Sequence, residues 1–214
     1  MKKTSRAQRP DGETTHNRIL DAAGGLFASV GFAETTNKMV AAKAEVDLAS
    51  INYHFGSRNG LYQAALVEAH QQLINLQGLR QLVLTDLSAR EKLKLFIDMM
   101  VENAIIDGGW HARLLSREFL SPTSHLGRLQ KTEFPAKLPL ILGILSEITT
   151  IPLDDPSLLR CLISVMAPCA MLLVVGPYAP PFADEIYRMS KTVLVEHLYN
   201  FAIGGLEAIR QNQM

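Results

Sequence analysis

The fold is indicated most strongly by Ile51-Asn52-Tyr53-His54-Phe55-Gly56-Ser57-Arg58, which follows an amphipathic segment ending at Gly31-Phe32. Its glycine is placed to stop a helix, because glycine tolerates the backbone found at a helix end. Its serine is placed to cap the next helix, because the side chain accepts free amide protons at a helix start. The pattern indicates the end of a DNA recognition helix.

Two short helices are predicted before this point. Thr36 can cap a helix through Lys43, and Asp47 can cap a second helix through Phe55, since both side chains accept amide protons. The residues between the two helices, Ala44-Glu45-Val46, then form the turn of a helix-turn-helix. In this motif the second helix enters the major groove of DNA.

The second helix carries residues suited to DNA contact. Ala49 and Ser50 are small enough for close approach to base edges, and Asn52 can hydrogen-bond to them. Tyr53 and His54 are expected mainly at phosphates, with burial of Tyr53 as an alternative. The predicted DNA-binding residues are Thr36, Asn37, Lys38, Ala49, Ser50, Asn52, Tyr53, His54 and Arg58.

The first sixty or so residues carry several separate motifs. They are the helix from Ile19-Leu20-Asp21-Ala22-Ala23 through Leu26-Phe27, the Gly31-Phe32 corner, Thr35-Thr36, Tyr53-His54-Phe55, and Gly56-Ser57-Arg58 to Leu61-Tyr62. Together these motifs resemble the DNA-binding domain of the TetR family of bacterial transcription regulators. Two positions depart from the family's usual pattern, which commonly has glycine where Glu45 stands and lysine where Arg58 stands. Arg58 keeps the positive charge for a phosphate, whereas Glu45 is expected to strain the turn or repel DNA.

Length and charge fit one small DNA-binding domain and one larger helical domain. The chain has 214 residues with 48% hydrophobic content, and 21 basic and 21 acidic residues give a net charge of zero. A neutral chain is not expected to coat nucleic acid non-specifically. The predicted parts are a basic flexible arm at 1–13, a helix-turn-helix domain at 14–59 and a helical regulatory and dimerisation domain at 60–214. The arm either lies along DNA or is a solvated tail.

Beyond residue 60, apolar residues recur at helical spacing between clusters of proline or glycine. This predicts an all-α fold with helices at about 60–77, 89–107, 111–120, 126–148, 156–175 and 183–211. Breaks are expected at 108–109, 121–122, 151–152, 176–177 and 180–181. The run 161–175 is the most apolar, but it is shorter than the roughly twenty residues of a spanning helix and holds Pro168. A buried, kinked helix and no membrane partner are therefore predicted.

Cys161 and Cys169 are the only cysteines. Two cysteines in one apolar helix do not suggest a disulfide framework, and their spacing does not suit a zinc site. We interpret them as small apolar packing residues, with a redox switch as the alternative. The basic amino terminus is not followed by the apolar run of a signal peptide. We therefore expect a cytoplasmic protein with no cofactor and no metal.

The last segment of the chain presents a broad apolar stripe, and the helix before it is equally apolar. Because this pair would leave surplus apolar surface on a monomer, we predict a homodimer through a four-helix contact across a two-fold axis. The alternative is that both helices belong to the intramolecular core. The stripe residues are Ile186, Met189, Val193, Leu194, His197, Leu198 and Phe201.

The regulatory domain contains Trp110-His111-Ala112-Arg113 and, shortly after, the block Arg117-Glu118-Phe119-Leu120-Ser121-Pro122-Thr123. The second block resembles the sixth-helix region of CecR-type regulators within the TetR family. Arg117 and Glu118 are expected in a ligand cavity or a hinge, or as an ion pair within the domain. Phenylalanine and methionine at helical spacing suit either a pliable cavity wall or an ordinary core. The predicted ligand-binding residues are Phe96, Met100, Trp110, Arg117, Glu118 and Met171.

These features predict a homodimeric repressor that binds a palindromic operator and is released by a small apolar or amphipathic effector. An enzyme is not expected, because the sequence lacks a phosphate loop, a nucleophile elbow and paired histidines at metal spacing. A helical module that binds a protein partner and a transcriptional activator remain alternatives, since no residue pattern decides the sign of regulation.

Overall fold

The computed structural model describes residues 10–105, 109–178 and 182–212. Every regular element within these ranges is an α-helix, which confirms the predicted all-α fold. The helices are α1 (Pro10–Val30), α2 (Asn37–Ala44), α3 (Leu48–Phe55), α4 (Arg58–Leu73), α5 (Leu76–Val83), α6 (Ala89–Ile105), α7 (Trp110–Leu120), α8 (Leu126–Thr149), α9 (Ser157–Tyr178), α10 (Phe182–Arg188) and α11 (Lys191–Gln211).

Helices α1 to α3 form the predicted three-helix head around fully buried side chains such as Phe27 and Ile51. Helix α1 already begins at Pro10, where proline is favoured because its missing amide donor is not needed in the first turn. The end of the arm predicted at 1–13 is therefore helical. Residues 1–9, which make up the rest of that arm, lie outside the described residues.

Both helix starts predicted in the head are confirmed. Thr36 Oγ1 accepts a hydrogen bond from the amide of Met39 at 3.3 Å. Asp47 Oδ1 accepts one from the amide of Ser50 at 2.7 Å. These side chains satisfy amide groups that have no partner inside the helix, so they fix where α2 and α3 begin.

Helix α4 joins the head to the larger domain. It starts after Ser57, whose Oγ accepts a hydrogen bond from the amide of Gly60 at 3.0 Å. The helix predicted over 60–77 was wrong in extent, because Asn75 accepts the amide proton of Gly78 at 2.9 Å and starts the short helix α5. An asparagine cap inside an otherwise helical pattern thus divides one predicted helix into two.

In the larger domain α6 packs against α8, α9 and α11, while α7 lies between α9 on one side and α1 and α4 on the other. The single helix predicted over 183–211 was wrong: Ser190 accepts the amide proton of Val193 at 3.4 Å and starts α11 separately from α10. The break predicted at 176–177 was also wrong, since α9 continues to Tyr178. Residues 108 and 180–181, where further breaks were predicted, lie outside the described residues.

Candidate DNA-binding surface and regulatory cavity

Helix α3 presents one face to the solvent and the opposite face to the head. Ile51 is completely buried, whereas Tyr53 is 84% exposed. Ala49 and Asn52 are exposed as well, and with Tyr53 they share one side of the helix because they lie three and four residues apart. The outer face therefore carries small and polar groups, and the alternative of a buried Tyr53 was wrong.

Ser50 and His54 flank this face and are half-buried. The Ser50 hydroxyl donates to Asp47 Oδ1 at 2.7 Å, and this bond, with the one from the Ser50 amide, lowers the pKa of Asp47. The hydroxyl proton of Ser50 is therefore used within the head, and its oxygen lone pairs remain able to accept a hydrogen bond. The ring of His54 meets that of His16 edge-on, with 5.8 Å between centroids.

The start of α2 lies next to the turn. Thr36 and Lys38 are exposed there, while Asn37 is half-buried. Asn37 Oδ1 is buried without a hydrogen-bond partner among the described residues. Helix starts attract phosphate because their free amides carry partial positive charge, so Thr36 and Lys38 are well placed beside a phosphate.

The structure shows the contacts and backbone conformation of Arg58 and Glu45, the two residues that depart from the family pattern. The Arg58 guanidinium lies 4.3 Å from the centre of the Phe32 ring, a cation–π arrangement that holds the charge at the start of α4. Glu45 adopts a left-handed backbone with φ 53° and ψ 49°, which confirms the expected strain. Arg18 steadies this turn by donating to the carbonyl of Ala44 at 2.6 Å.

Helix α7 is held against α1 by polar contacts. Arg117 Nη2 donates to the carbonyl oxygen of Val30 at 3.2 Å, and Trp110 Nε1 donates to Asp21 Oδ1 at 3.4 Å. Gly31 makes room for this contact: its φ is +94°, and a Cβ there would lie 2.6 Å from Arg117 Nη2. The glycine is thus required both by the turn and by the arginine.

Glu118 connects α7 to α4. The carboxylate is 1% exposed, and its Oε2 accepts a hydrogen bond from the Tyr62 hydroxyl at 2.6 Å. Its Oε1 accepts from the amide of Thr123 at 2.9 Å and from the Thr123 hydroxyl at 2.8 Å. Burial, followed by the contact with Glu118, raises the pKa of Tyr62, which keeps the hydroxyl protonated as a donor.

A cavity of about 270 Å³ lies between α4, α6, α7, α8 and α9. Its wall is mostly apolar and includes Met100, Phe119, Phe134 and Met166. Sites for small organic molecules commonly combine such a wall with few polar groups. This cavity is therefore a candidate for a ligand site.

A buried polar cluster forms part of the cavity wall. Lys137 Nζ donates to His70 Nδ1 at 2.9 Å and to Glu133 Oε2 at 2.8 Å. Burial, followed by the nearby charge of Lys137, lowers the pKa of His70 to about 4. The histidine is therefore neutral at pH 7, and the lysine and glutamate balance each other's charge.

Two sequence profiles match the chain. The profile of bacterial regulatory proteins of the tetR family matches residues 19–65. The profile of the C-terminal domain of the HTH-type transcriptional dual regulator CecR matches residues 89–206. The chain belongs to the TetR family. The second match also confirms the CecR-like resemblance that the 117–123 block suggested.

Solved structures of other regulators share the fold. A TetR-like transcriptional regulator from Rhodococcus sp. RHA1 has 20% identity and a TM-score of 0.69, covering 94% of this chain and 98% of its own. The fatty acid degradation regulator FadR from Bacillus halodurans has 16% identity, a TM-score of 0.70 and the same two coverages. FadR from Bacillus subtilis in complex with stearoyl-CoA has 16% identity and a TM-score of 0.71, covering 89% of this chain and 98% of its own. A search of curated proteins gave no match.

The TetR family and these neighbours are transcriptional regulators rather than enzymes. As a member of the family with an intact helix-turn-helix, the chain is a DNA-binding transcription regulator. The exposed faces of α2 and α3 are its candidate DNA-binding surface.

The residues predicted for ligand binding do not all meet at the cavity of this TetR-family protein. Met100 lines it, and Phe96 is buried in the core without appearing in its wall. Met171 is 52% exposed on the outside of α9. Trp110, Arg117 and Glu118 contact the head and α4 instead, and in the described part of the chain the last two form no ion pair with each other.

Sequence reasoning missed His70, Phe134 and Lys137 as cavity residues. One signal was present: Lys137 is a lone charge within the largely apolar stretch 134–145 of α8. A charge in such a stretch is either exposed or paired. The sequence shows a possible charge partner in Glu133, four residues earlier on the same helix, but it does not show His70, which lies 67 positions earlier.

The cysteines follow the predicted packing, whereas helix α9 is less buried than predicted, since Leu159, Ile163 and Met171 are exposed. Cys161 and Cys169 are buried and free, and burial raises the pKa of both thiols, that of Cys169 to about 11.

The stretch Ser157–Val174 is long and apolar enough to cross a membrane by length and composition, with a mean hydropathy of 2.0. One such helix is weak evidence for a membrane span, since core helices of soluble proteins pass the same test. Among the described residues no group of three His, Cys, Asp or Glu is placed to hold a metal ion.

Proposed function

We propose that this protein is a homodimeric repressor of a palindromic operator, released by a small apolar or amphipathic effector. The observation that carries the proposal is the position of α7. Phe119 of this helix lines the cavity, while the neighbouring Arg117 and Glu118 bond to α1 and α4. A ligand that displaces Phe119 therefore also displaces the contacts that orient the head.

In this mechanism the cavity and the DNA-binding surface are coupled through two arrangements of the head. The ligand-free arrangement holds both heads of the dimer at successive major grooves, and the liganded arrangement does not. Ligand and DNA then weaken each other's binding by the same factor, commonly about 5- to 150-fold. In the DNA-bound arrangement Ala49, Ser50 and Asn52 lie nearest the base edges, and Tyr53, His54 and Arg58 lie at phosphates.

The dimer proposal rests on apolar residues that the protomer leaves exposed. On α9, Leu159, Ile163 and Met171 are 45%, 66% and 52% exposed. On α11, Val193 and Phe201 are 56% and 72% exposed. Spacings of four and eight residues place each set on one side of its helix. Exposed apolar side chains grouped in this way are typical of an interface, and we propose that they meet the same surface of a second copy.

Only part of the stripe predicted on the last segment faces outward. Leu194 is 8% exposed and belongs to the protomer's own core. Ile186 and Leu198 are half-buried against the same core. The exposed part of the stripe is consequently narrower than expected, and α9 supplies the rest of the proposed interface.

We also propose that the dimer acts in the cytoplasm, the bacterial compartment that contains the DNA.

The testing experiment is DNase footprinting on the gene's own upstream DNA, with an unrelated duplex for comparison. The proposal expects a protected site with two-fold symmetry that Asn52→Ala abolishes. A Gln71→Ala control, which changes an exposed amide on α4, should leave the site intact. In vitro transcription from the same fragment then distinguishes repression from activation, since a repressor lowers the transcript yield. Equal binding to both duplexes, or an unchanged footprint with Asn52→Ala, would contradict the proposal.

Dimer formation is tested separately by sedimentation equilibrium. Phe201→Asp should shift the protein to a monomer and abolish the footprint, because it places a charge in the proposed apolar contact. Leu153→Asp is the matched control, since Leu153 is 62% exposed but lies in the loop before α9. A Phe201→Asp variant that remains a dimer contradicts the proposed interface.

A further inference from the structure

The wall of the cavity carries two unusual polar residues. Of the described residues that line it, His70 and Lys137 are the polar ones, and they are 5% and 3% exposed. Polar groups this deeply buried are costly unless they are hydrogen-bonded. The hydrogen-bond donors and acceptors that these two side chains do not use within the protein therefore determine which ligand fits beside them.

The unused hydrogen-bonding groups of Lys137 and His70 are donors. Lys137 Nζ has three N–H groups and uses one for His70 Nδ1 and one for Glu133 Oε2. Because an ammonium group only donates, His70 Nδ1 must accept, and the neutral ring carries its proton on Nε2. The third N–H of Lys137 and the Nε2–H of His70 thus have no acceptor in the described hydrogen bonds, and a ligand oxygen can supply one.

The charges of the cluster favour a neutral ligand. Lys137 and Glu133 form an ion pair at 2.8 Å, with side chains 4% and 11% exposed, so the lysine charge is already balanced. Burial and the charge of Lys137 lower the pKa of His70 to about 4, so the ring is neutral at pH 7 and adds no positive charge. A carboxylate ligand would therefore add a second negative charge near Glu133 without a matching positive one, which is unfavourable in a buried site. A neutral acceptor avoids this cost.

The size of the cavity limits the ligand. Its volume of about 270 Å³ lies just below the usual range of about 300–1,000 Å³ for small-molecule sites. Phe119 and Phe134 in the wall suit stacking against a flat or aliphatic body. Stearoyl-CoA, the ligand of the Bacillus subtilis FadR structure, is much larger than this.

We propose that the effector is a small neutral molecule with an apolar body and a carbonyl oxygen, an ester, ketone or amide, that accepts hydrogen bonds from Lys137 and His70. This inference rests on the proposed function only in taking the cavity as the effector site. The cluster thus selects a neutral carbonyl over both a hydrocarbon and a carboxylate of the same shape.

The test compares three probes of similar shape, namely 4-phenylbutan-2-one, butylbenzene and 3-phenylpropanoate, by isothermal titration calorimetry on the full-length protein without DNA. We expect the ketone to bind at least about tenfold more tightly than the other two, since a hydrogen bond to a charged donor contributes at least that much. The double variant Glu133→Gln/Lys137→Met removes both charges together and one of the two proposed donors, so it should reduce the preference for the ketone over the hydrocarbon; the Nε2–H of His70 can retain the remainder. The control Leu173→Met changes a buried apolar residue of the same wall and should keep the preference.

Three results would overturn the inference. They are equal binding of ketone and hydrocarbon, preferred binding of the carboxylate, and no binding of the ketone to the wild-type protein. The comparison among probes on the wild-type protein is decisive even if the double variant does not fold. A separate gel shift with the ketone tests the proposed function. If the ketone binds the cavity as expected but does not release DNA, effector control fails while the assigned ligand chemistry stands.

Discussion

The hydrogen bond between Tyr62 of α4 and Glu118 of α7 provides a direct test of how the two domains are joined. The substitution Tyr62→Phe removes one hydroxyl and little volume. Glu118 then loses one of its three donors, because Oε2 is bonded to the Tyr62 hydroxyl at 2.6 Å while Oε1 keeps both bonds to Thr123. Tyr62 and Glu118 are 2% and 1% exposed, so water does not replace the lost donor.

The expected loss follows from these values. A hydrogen bond to a charged group contributes about 1.5–3 kcal/mol. We therefore expect the free energy of unfolding to fall by about 1.5–3 kcal/mol, and the Tm of a protein of this size by roughly 3–12 °C. Because the bond joins α4 to α7, the variant should also show weaker coupling between effector and DNA binding.

Urea unfolding followed by circular dichroism measures the stability, at one fixed protein concentration because a dimer's stability depends on it. Tyr199→Phe is the matched control, since the Tyr199 hydroxyl makes no hydrogen bond among the described residues and this variant should remain near the wild type. A loss for Tyr62→Phe no larger than that of the control would contradict the role assigned to the Tyr62 hydroxyl. It would mean that the buried carboxylate does not depend on Tyr62.

Three further predictions concern the head and the cavity. Arg58→Ala should weaken binding to specific and unrelated duplexes alike and reduce the salt slope by about one unit per protomer in gel shifts; altered specificity with an unchanged slope would contradict a phosphate role. Glu45→Gly should stabilise the protein by about 0.5–1 kcal/mol in urea unfolding, because glycine relieves the left-handed backbone at some entropic cost, and a destabilised variant would argue against strain at this turn. The folded pKa of His70, about 4, lies below its ordinary value of 6.5, so the unfolded chain binds more protons between these values and stability falls as pH drops from about 6.5 to 4. Stability curves at several pH values should show that fall for the wild type and a shallower one for His70→Gln, and identical curves would exclude the histidine as the cause.

Much of the head was predictable because its signals are local. Thr36, Asp47 and Ser57 each cap a helix within three residues of their own position, so the order of residues specifies the helix starts. The exposed face of α3 follows from helical spacing around Ile51. Two helix boundaries in the larger domain were missed at Asn75 and Ser190, where a cap interrupts an otherwise continuous pattern.

The cavity was not predictable in the same way, because its residues come from five helices and meet only after those helices pack. Trp110 and Arg117 stand among apolar residues suited to a ligand wall, yet the packing of α7 places them against α1. His70 and Lys137 meet across 67 positions of sequence. The family, the all-α class and the exposed face of α3 could be predicted from the residue order alone, since their signals lie within one or two turns of a helix. The side chains that line the cavity, and those that join it to the head, could be identified only from the folded structure, because such contacts depend on the relative positions of helices that are distant in the chain.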